Sequence, residues 1–398
     1  MRQRILRVGV DVSVLAKPHT GIARYLANML AEMLPRADRL DFHLYSAQPV
    51  SVEFDGNWRL RVQHGVRGAV GGYWAQEVCP HWLNEDRIDV FWGQNYVLPL
   101  RLRRPCRRVM TLHDITGLLM PWTVPLSRRL HFRLYQRRAA AACDCLAVDS
   151  EATARLARLC LGVPQAKLRT VLPGCDSGFS VGESEMAVMA GTVEARVFVR
   201  ERFGVDAGYM LAVSTLEPRK GFPTLFNAVR ALPDVPVLLV AGGLGWRCGR
   251  ILDDLKTLQA DGRARYLGRV DDGELAALYR AAGLYVNPSL YEGFGLPVVE
   301  AMVCGCPVVC SWTSSLPEVG GDAARYFRPG DSAHLVQVLG RVLGNPAELE
   351  AMRAAGLRRA ALFSFERAAG EMLEILREQG SRVVGVPHRP VLRSSVSG

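Results

Sequence analysis

The chain has 398 residues, 49% hydrophobic and 22% charged, with a formal net charge of +10 and ten cysteines. That length suits two domains, and the balance excludes a disordered or fibrous chain. No apolar run reaches the roughly 18 residues of a spanning helix. The first run breaks at Asp11 before a signal-peptide core can form, and no C-x-x-C occurs. The expectation is a cytoplasmic protein whose cysteines are packed rather than metal-binding or redox-active.

In chain order, the first half alternates β-rich runs with helical patterns: "RVGVDVSV", a helix from about Gly21 to Leu34, "DFHLYS", "WRLRVQ", a helix near 73–85, "DVFWG", "RRVMTLHD", a helix near 127–142, and "CLAVD". Strands alternating with helices predict a doubly wound, mainly parallel α/β sheet. A second series follows residue 205: "YMLAVST", "VPVLLVAGG", "ARYLG", "LYVNPS", "CPVVCS" and "ARYF". The predicted organisation is one Rossmann-like domain over residues 1–180, a connection over 181–204 with room for one short helix, and a second Rossmann-like domain over 205–363. A helix over 364–380 and a loose tail over 381–398 complete it.

Arginine crowds "RLRRPCRRVM" and "SRRLHFRLYQRRAA", with Asp114 nearly the only acid between them. Such a face suits an anionic membrane surface or a phosphorylated acceptor. Nucleic acid is the weakest candidate, because no zinc-ligand spacing, RNP pattern or basic zipper accompanies the arginines. The competing reading is a solvated helix face.

Ligands of open α/β sheets bind beyond the carboxyl ends of the strands. In "NPSLYEGFGLPVVEAMVCGCPVV", the loop after a strand carries Glu292, and Glu300 stands about one turn into the next helix, which has Pro297 in its first turn. Gly293 and Gly295 leave the backbone open to close approach, and the N–H groups of Phe294, Gly295, Leu296 and the residues after Pro297 face an anion at the helix start. A diphosphate suits that site. Carboxylates repel phosphate, so the expected partners of Glu292 and Glu300 are neutral hydroxyls on its two sides, a sugar and a ribose.

This pattern resembles the E-x7-E of retaining GT-B glycosyltransferases of the family-four group. Further stretches match in order: "TGIARYLANML", "TLHDITGLLMP", "AVDSEATARLA", "LPGCD", "VSTLEPRKGFPTLFNAV", "AGGLGW" and "SSLPEVGGDAARYFRPGD". The resemblance implies two Rossmann-like domains facing across a cleft. The first takes the acceptor, the second takes the nucleotide sugar, and the final helix returns to the first. Glu292 would contact the donor sugar, Glu300 the ribose, and Lys220 the diphosphate. Gly21 would let N-domain backbone approach that diphosphate, and His113 would bond the sugar and orient the acceptor. Many relatives have an arginine near the position of Thr215, whereas here Arg219 adjoins Lys220. A departing diphosphate in a metal-free site needs fixed cations, and Arg219 and Lys220 supply two; because adjacent helical residues point about 100° apart, whether Arg219 takes the family arginine's own place stays open.

No D-x-D occurs, so a metal-bridged diphosphate is not expected. The glycines of "AGGLGW" lack the G-x-G-x-x-G spacing of a dinucleotide fingerprint. The resemblance, closest in style to bacterial surface-polysaccharide mannosyltransferases, implies transfer of a hexose, mannose first, from GDP-mannose as co-substrate to a glycan or lipid-linked acceptor, with no resident cofactor. An epimerase of the same fold and a catalytically silent sugar-nucleotide-binding subunit remain alternatives.

Overall fold

The computed structural model describes residues 4–18, 20–63, 73–94, 96, 98–124, 126, 129, 135–179 and 185–384. Seven parallel strands form the first sheet: β1 (Leu6–Asp11), β2 (Leu40–Ser46), β3 (Trp58–Val62), β4 (Val90–Gln94), β5 (Arg107–Leu112), β6 (Cys145–Val148) and β7 (Leu168–Thr170), in the order β3-β2-β1-β4-β5-β6-β7. Six form the second: β8 (Met210–Val213), β9 (Leu238–Ala241), β10 (Ala264–Gly268), β11 (Leu284–Asn287), β12 (Val308–Ser311) and β13 (Ala324–Phe327), in the order β10-β9-β8-β11-β12-β13. The central strands are short runs of buried apolar residues, such as "LLVA" in β9 and "CLAV" in β6, as expected of parallel strands covered on both faces. Each sheet separates two apolar cores. Strand order reverses between β1 and β4 and between β8 and β11. Those reversals are the crevices where doubly wound sheets receive ligands.

The helix Gly21–Met33 begins where Thr20 Oγ1 accepts the Ala23 N–H at 3.3 Å, and it buries Tyr25, Leu26, Met29, Leu30 and Met33 on the first sheet. The helix Phe365–Val384 returns to the same core. Its Phe365, Ala368, Ala369, Met372, Leu373 and Leu376 recur at helical spacing and pack with Val8, Val10, Met29 and Phe42. Where the chain recrosses, a Cβ on Gly174 would stand 2.0 Å from the Phe365 nitrogen, so only glycine fits.

Two expectations need correction. The connection holds a 19-residue helix, Glu185–Phe203, instead of a short one, and its Ala195, Val199 and Phe203 belong to the core of the second domain. The final helix runs to Val384, beyond the expected end at residue 380. The helix expected near 127–142 is described only in part, as Arg137–Ala142. Residues 127, 128 and 130–134 of the basic stretch and the tail beyond residue 384 lie outside the described residues. Among the described residues no helix is long and apolar enough to cross a membrane.

Candidate active site at the facing sheet edges

The two strands flanking the reversal in the second sheet deliver the charged residues. After β8 the chain turns through the short 3-10 helix Pro218–Lys220, and after β11 it runs into the loop of Glu292. Arg219 Nη1 lies 3.1 Å from Glu292 Oε2, and Lys220 Nζ lies 2.7 Å from Glu292 Oε1. The two neighbouring cations therefore converge on one carboxylate, despite the angular separation of adjacent helical positions. Ser289 Oγ donates to Glu292 Oε1 at 2.7 Å. Gly221 ends the turn at φ +66°, where a Cβ would stand 2.0 Å from the Pro288 carbonyl oxygen. A side chain there would push the cations away from the loop.

Burial alone would push the Glu292 carboxyl up, but the Lys220 ammonium and the Arg219 guanidinium hold it down at about 2. Burial and then Arg219 lower the Lys220 ammonium, against the pull of Glu292. For Arg219 burial also works downward, but Glu292, Asp114 and Glu217 outweigh it and raise the guanidinium. The expectation that Glu292 would meet only neutral hydroxyls is thus incomplete: its present partners are two cations and a serine. Lys220 and Ser289 fill Oε1, whereas Oε2, bonded to Arg219 alone, keeps one lone pair for a further donor.

Glu300 behaves differently. Tyr279 donates to its Oε2 at 3.1 Å, and Arg24 from the Gly21–Met33 helix places Nη1 3.1 Å from its Oε1. Burial raises the Glu300 carboxyl against the opposing pull of Arg24 and the bond from Tyr279. Arg24 also lies over the Phe179 ring at 5.3 Å. This ion pair ties the first domain to the second at the expected ribose position.

The remaining loop residues lead into the next helix. Gly295, at φ +109°, caps the helix Leu296–Val303, which has Pro297 in its first turn. The Phe294 ring is buried edge-on against Phe363, with centroids 5.6 Å apart. The run Ser311–Ser315 braces the loop from beneath. Ser311 donates to the Ser289 carbonyl, Thr313 to that of Leu290 at 3.1 Å, and Ser315 to that of Phe294 at 2.7 Å, while Ser314 Oγ accepts the Glu292 N–H at 2.9 Å. Thr215 is exposed, with its methyl against the loop of Gly245.

Gly293 serves a purpose other than ligand approach. A Cβ there would stand 1.7 Å from the His113 carbonyl oxygen, so the close approach is between the domains. Ser150 and Thr153 donate to the Gly293 carbonyl at 2.7 and 3.1 Å, the Ile115 N–H donates to Tyr291 at 3.2 Å, and Glu318 accepts the Glu151 and Ala152 N–H groups at 2.8 and 3.1 Å. His113 itself follows β5. Its Nδ1 is 2.6 Å from Asp149 Oδ2, and its buried Nε2 has no partner among the described residues. Gly21 opens its helix exposed, with no atom within 4 Å of a Cβ built on it. Asp114 Oδ1 accepts the Thr116 N–H at 2.9 Å and so shapes its own loop.

Sequence reading did not single out Arg24, Asp149, Tyr279, Ser289 or the Ser311–Ser315 brace. Arg24 and Asp149 stand inside quoted matching stretches, and the hydroxyl density of "SWTSS" just after a strand was the available signal for the brace. In the basic stretch, Arg101, Arg103 and Arg104 are exposed. Arg107 is committed to Asp144 at 3.0 Å and Gln379 at 2.9 Å, and Arg108 to the carbonyls of Pro99 and Leu100.

Comparison with known proteins agrees with this layout. Residues 196–359 match the family described as Glycosyl transferases group 1, and residues 19–179 match Glycosyltransferase Family 4. O-antigen chain mannosyltransferase B of Escherichia coli is 33% identical over 302 residues, 73% of this chain and 75% of the relative. Sucrose-phosphate synthase from Thermosynechococcus elongatus superposes with a TM-score of 0.77 at 21% identity, over 95% of this chain and 100% of that one. HepE of Anabaena, in complex with UDP-glucose, superposes with a TM-score of 0.72 at 17% identity, over 94% and 100%. These superpositions establish the fold as GT-B.

Proposed function

Because the chain belongs to the group 1 glycosyltransferases of GT-B fold, we propose that it transfers a hexose, mannose first, from a nucleotide-sugar donor, GDP-mannose first, to a hydroxyl of a glycan or lipid-linked acceptor in polysaccharide biosynthesis, with retention of configuration. The observation that carries this reading is the convergence of Arg219 and Lys220 on Glu292 at the β8/β11 reversal, beside a helix start. Departure of a nucleoside diphosphate builds negative charge on its terminal phosphate, and preorganised cations in a water-poor site are the strongest stabilisers of such charge. With two fixed cations supplied by the chain, no metal ion is required for that step. The mannosyltransferase relative supports mannose.

In this mechanism Arg219 and Lys220 hold the diphosphate, and the backbone of Phe294, Gly295 and Leu296 meets it from the helix start. Gly21 meets it from the first domain. Glu292 holds both cations in position and accepts a donor-sugar hydroxyl on the remaining lone pair of Oε2. Glu300 accepts the ribose hydroxyls. The acceptor hydroxyl attacks the anomeric carbon from the face that the diphosphate leaves, and the departing phosphate oxygen takes its proton. No protein nucleophile is involved.

The test pairs GDP-mannose with a mannose-terminated oligosaccharide. Acceptor-dependent release of GDP and an α-linked product support the reading. Free sugar released without acceptor indicates the epimerase, and no turnover with tight binding of GDP indicates a silent subunit. A thermal-shift series with GDP, UDP, dTDP and ADP ranks the bases. We also propose a cytoplasmic location with peripheral contact to anionic membrane through the basic stretch. Sedimentation with phosphatidylglycerol-rich vesicles, but not neutral ones, supports it, and identical binding to both overturns it.

A further inference from the structure

Three neighbouring strands of the first sheet end in polar residues on one face. Two-residue steps carry β4 from Trp92 to Gln94, β5 from Val109 through Thr111 to His113, and β6 from Cys145 through Ala147 to Asp149. Trp92, Val109, Cys145 and Ala147 belong to the apolar core under the Gly21–Met33 helix, so their successors at even steps lie on that side too. The register pairs Gln94 with Thr111 and Leu112 with Val148, which brings His113 opposite Asp149. Tyr25 of the covering helix meets the His113 ring edge-on, with centroids 4.8 Å apart. The apolar face thus turns polar at its carboxyl edge, where a substrate would sit.

That edge is also under-bonded. His113 Nε2, Asp149 Oδ1 and both amide atoms of Gln94 are buried with no partner among the described residues. Each such atom carries an uncompensated desolvation cost when nothing bonds it. A core without a ligand would have little reason to keep four of them together. The other oxygen of Asp149 sits 2.6 Å from His113 Nδ1. An ionised carboxylate can only accept, so the proton of that bond is on Nδ1.

We infer that Asp149 is the positioning residue that holds His113 as its Nδ1–H tautomer, so that Nε2 offers a lone pair to a hydroxyl of the sugar in transit. A lone pair there accepts an O–H and repels a phosphate oxygen. The first domain's edge thereby reads hydroxyls while Arg219 and Lys220 read the diphosphate, and the reacting sugar is held in one orientation between them. The identity of the hydroxyl rests on the glycosyl-transfer reading above, whereas the tautomer does not.

The experiment is 15N NMR of the full chain labelled on its histidine rings, with the His113 signals assigned by their loss in His113→Gln. Nδ1 protonated and Nε2 bare at neutral pH is the expected result. A proton on Nε2, alone or together with Nδ1, overturns the inference whatever the enzyme transfers. Asp149→Asn supplies the second arm, since its amide can donate to Nδ1 and favour the Nε2–H form. It should lower kcat roughly 10- to 100-fold, as loss of a working histidine's carboxylate partner does. The Kd for GDP should not change, and the Asp149→Asn/His113→Gln pair should be no slower than the slower single variant. An Asp149→Asn protein with unaltered kcat, or one losing melting temperature and GDP affinity alongside kcat, overturns the positioning role. If that variant does not fold, the wild-type ring signals still decide.

Discussion

At the rim of the second domain, both oxygens of Glu292 are occupied, by Lys220 and Ser289 on one and Arg219 on the other. At the facing rim of the first domain, His113, Asp149 and Gln94 keep buried polar atoms without partners among the described residues. On the proposed glycosyl-transfer reading, the difference follows from what each rim would receive. Buried cations are too costly to leave bare, so a site for a doubly charged leaving group needs a resident anion until the ligand arrives. The first rim has no cation among these groups, and its histidine nitrogen and amide atoms can stand unbonded at a smaller cost.

The largest expected effect breaks the resident anion. Glu292→Gln leaves the largely buried Lys220 without its carboxylate and Arg219 with Glu217 alone, at 2.8 Å, and should destabilise the fold by roughly 3–5 kcal/mol. GDP supplies the missing charge, so it should raise the variant's melting temperature more than the wild type's. Acidification offers the same contrast. With the folded carboxyl at about 2 against an ordinary 4.5, its contribution is complete above pH 4.5 and is lost as pH falls from 4.5 toward 2. A Glu292→Gln melting curve with the wild-type slope in that window would refute the ion-pair account.

Lys220→Ala tests the catalytic half of the comparison. Removing one preorganised donor commonly costs roughly 3–4 kcal/mol of transition-state stabilisation, so kcat should fall by about two to three orders of magnitude. Near-wild-type turnover in a folded protein would remove Lys220 from the mechanism. Glu300→Ala should act on binding instead. Hydrogen bonds to a charged group contribute roughly 1.5–3 kcal/mol, so calorimetry should show GDP affinity falling about 10- to 100-fold with little change in kcat. The smallest expected effect is none: exhaustive EDTA should leave transfer intact. Activity lost to EDTA and restored by magnesium or manganese would show that Arg219 and Lys220 do not neutralise the diphosphate alone.

The two rims also differ in how far sequence could reveal them. Glu292, Glu300 and Lys220 stand in compact stretches where a strand, a glycine-bearing loop and a helix start are adjacent, so local chemistry exposes them. Arg24, Tyr279 and Asp149 reach their partners from other strands and helices, and parallel register across a doubly wound sheet is not written in any single segment. All six strands of the second domain were legible as short runs between helical patterns, while the three-residue β7 was too short to stand out. The helix Glu185–Phe203 was underestimated because Val193, Val197 and Phe198 are exposed while Ala195, Val199 and Phe203 are buried. Apolar residues on both sides erase the stripe that marks a packed helix.

The return of Phe365–Val384 to the first sheet orders events during synthesis. Chains emerge N-terminus first, and domains tend to fold as they appear. Yet the core around Val8, Val10 and Phe42 is covered in part by Phe365, Ala368, Met372 and Leu376, which leave the ribosome only after all six strands of the second domain. The domain translated first is therefore the one finished last. Until then it presents an uncovered apolar face to the cell, and a ribosome stalled anywhere in the second domain holds a nascent chain that chaperones can recognise as incomplete.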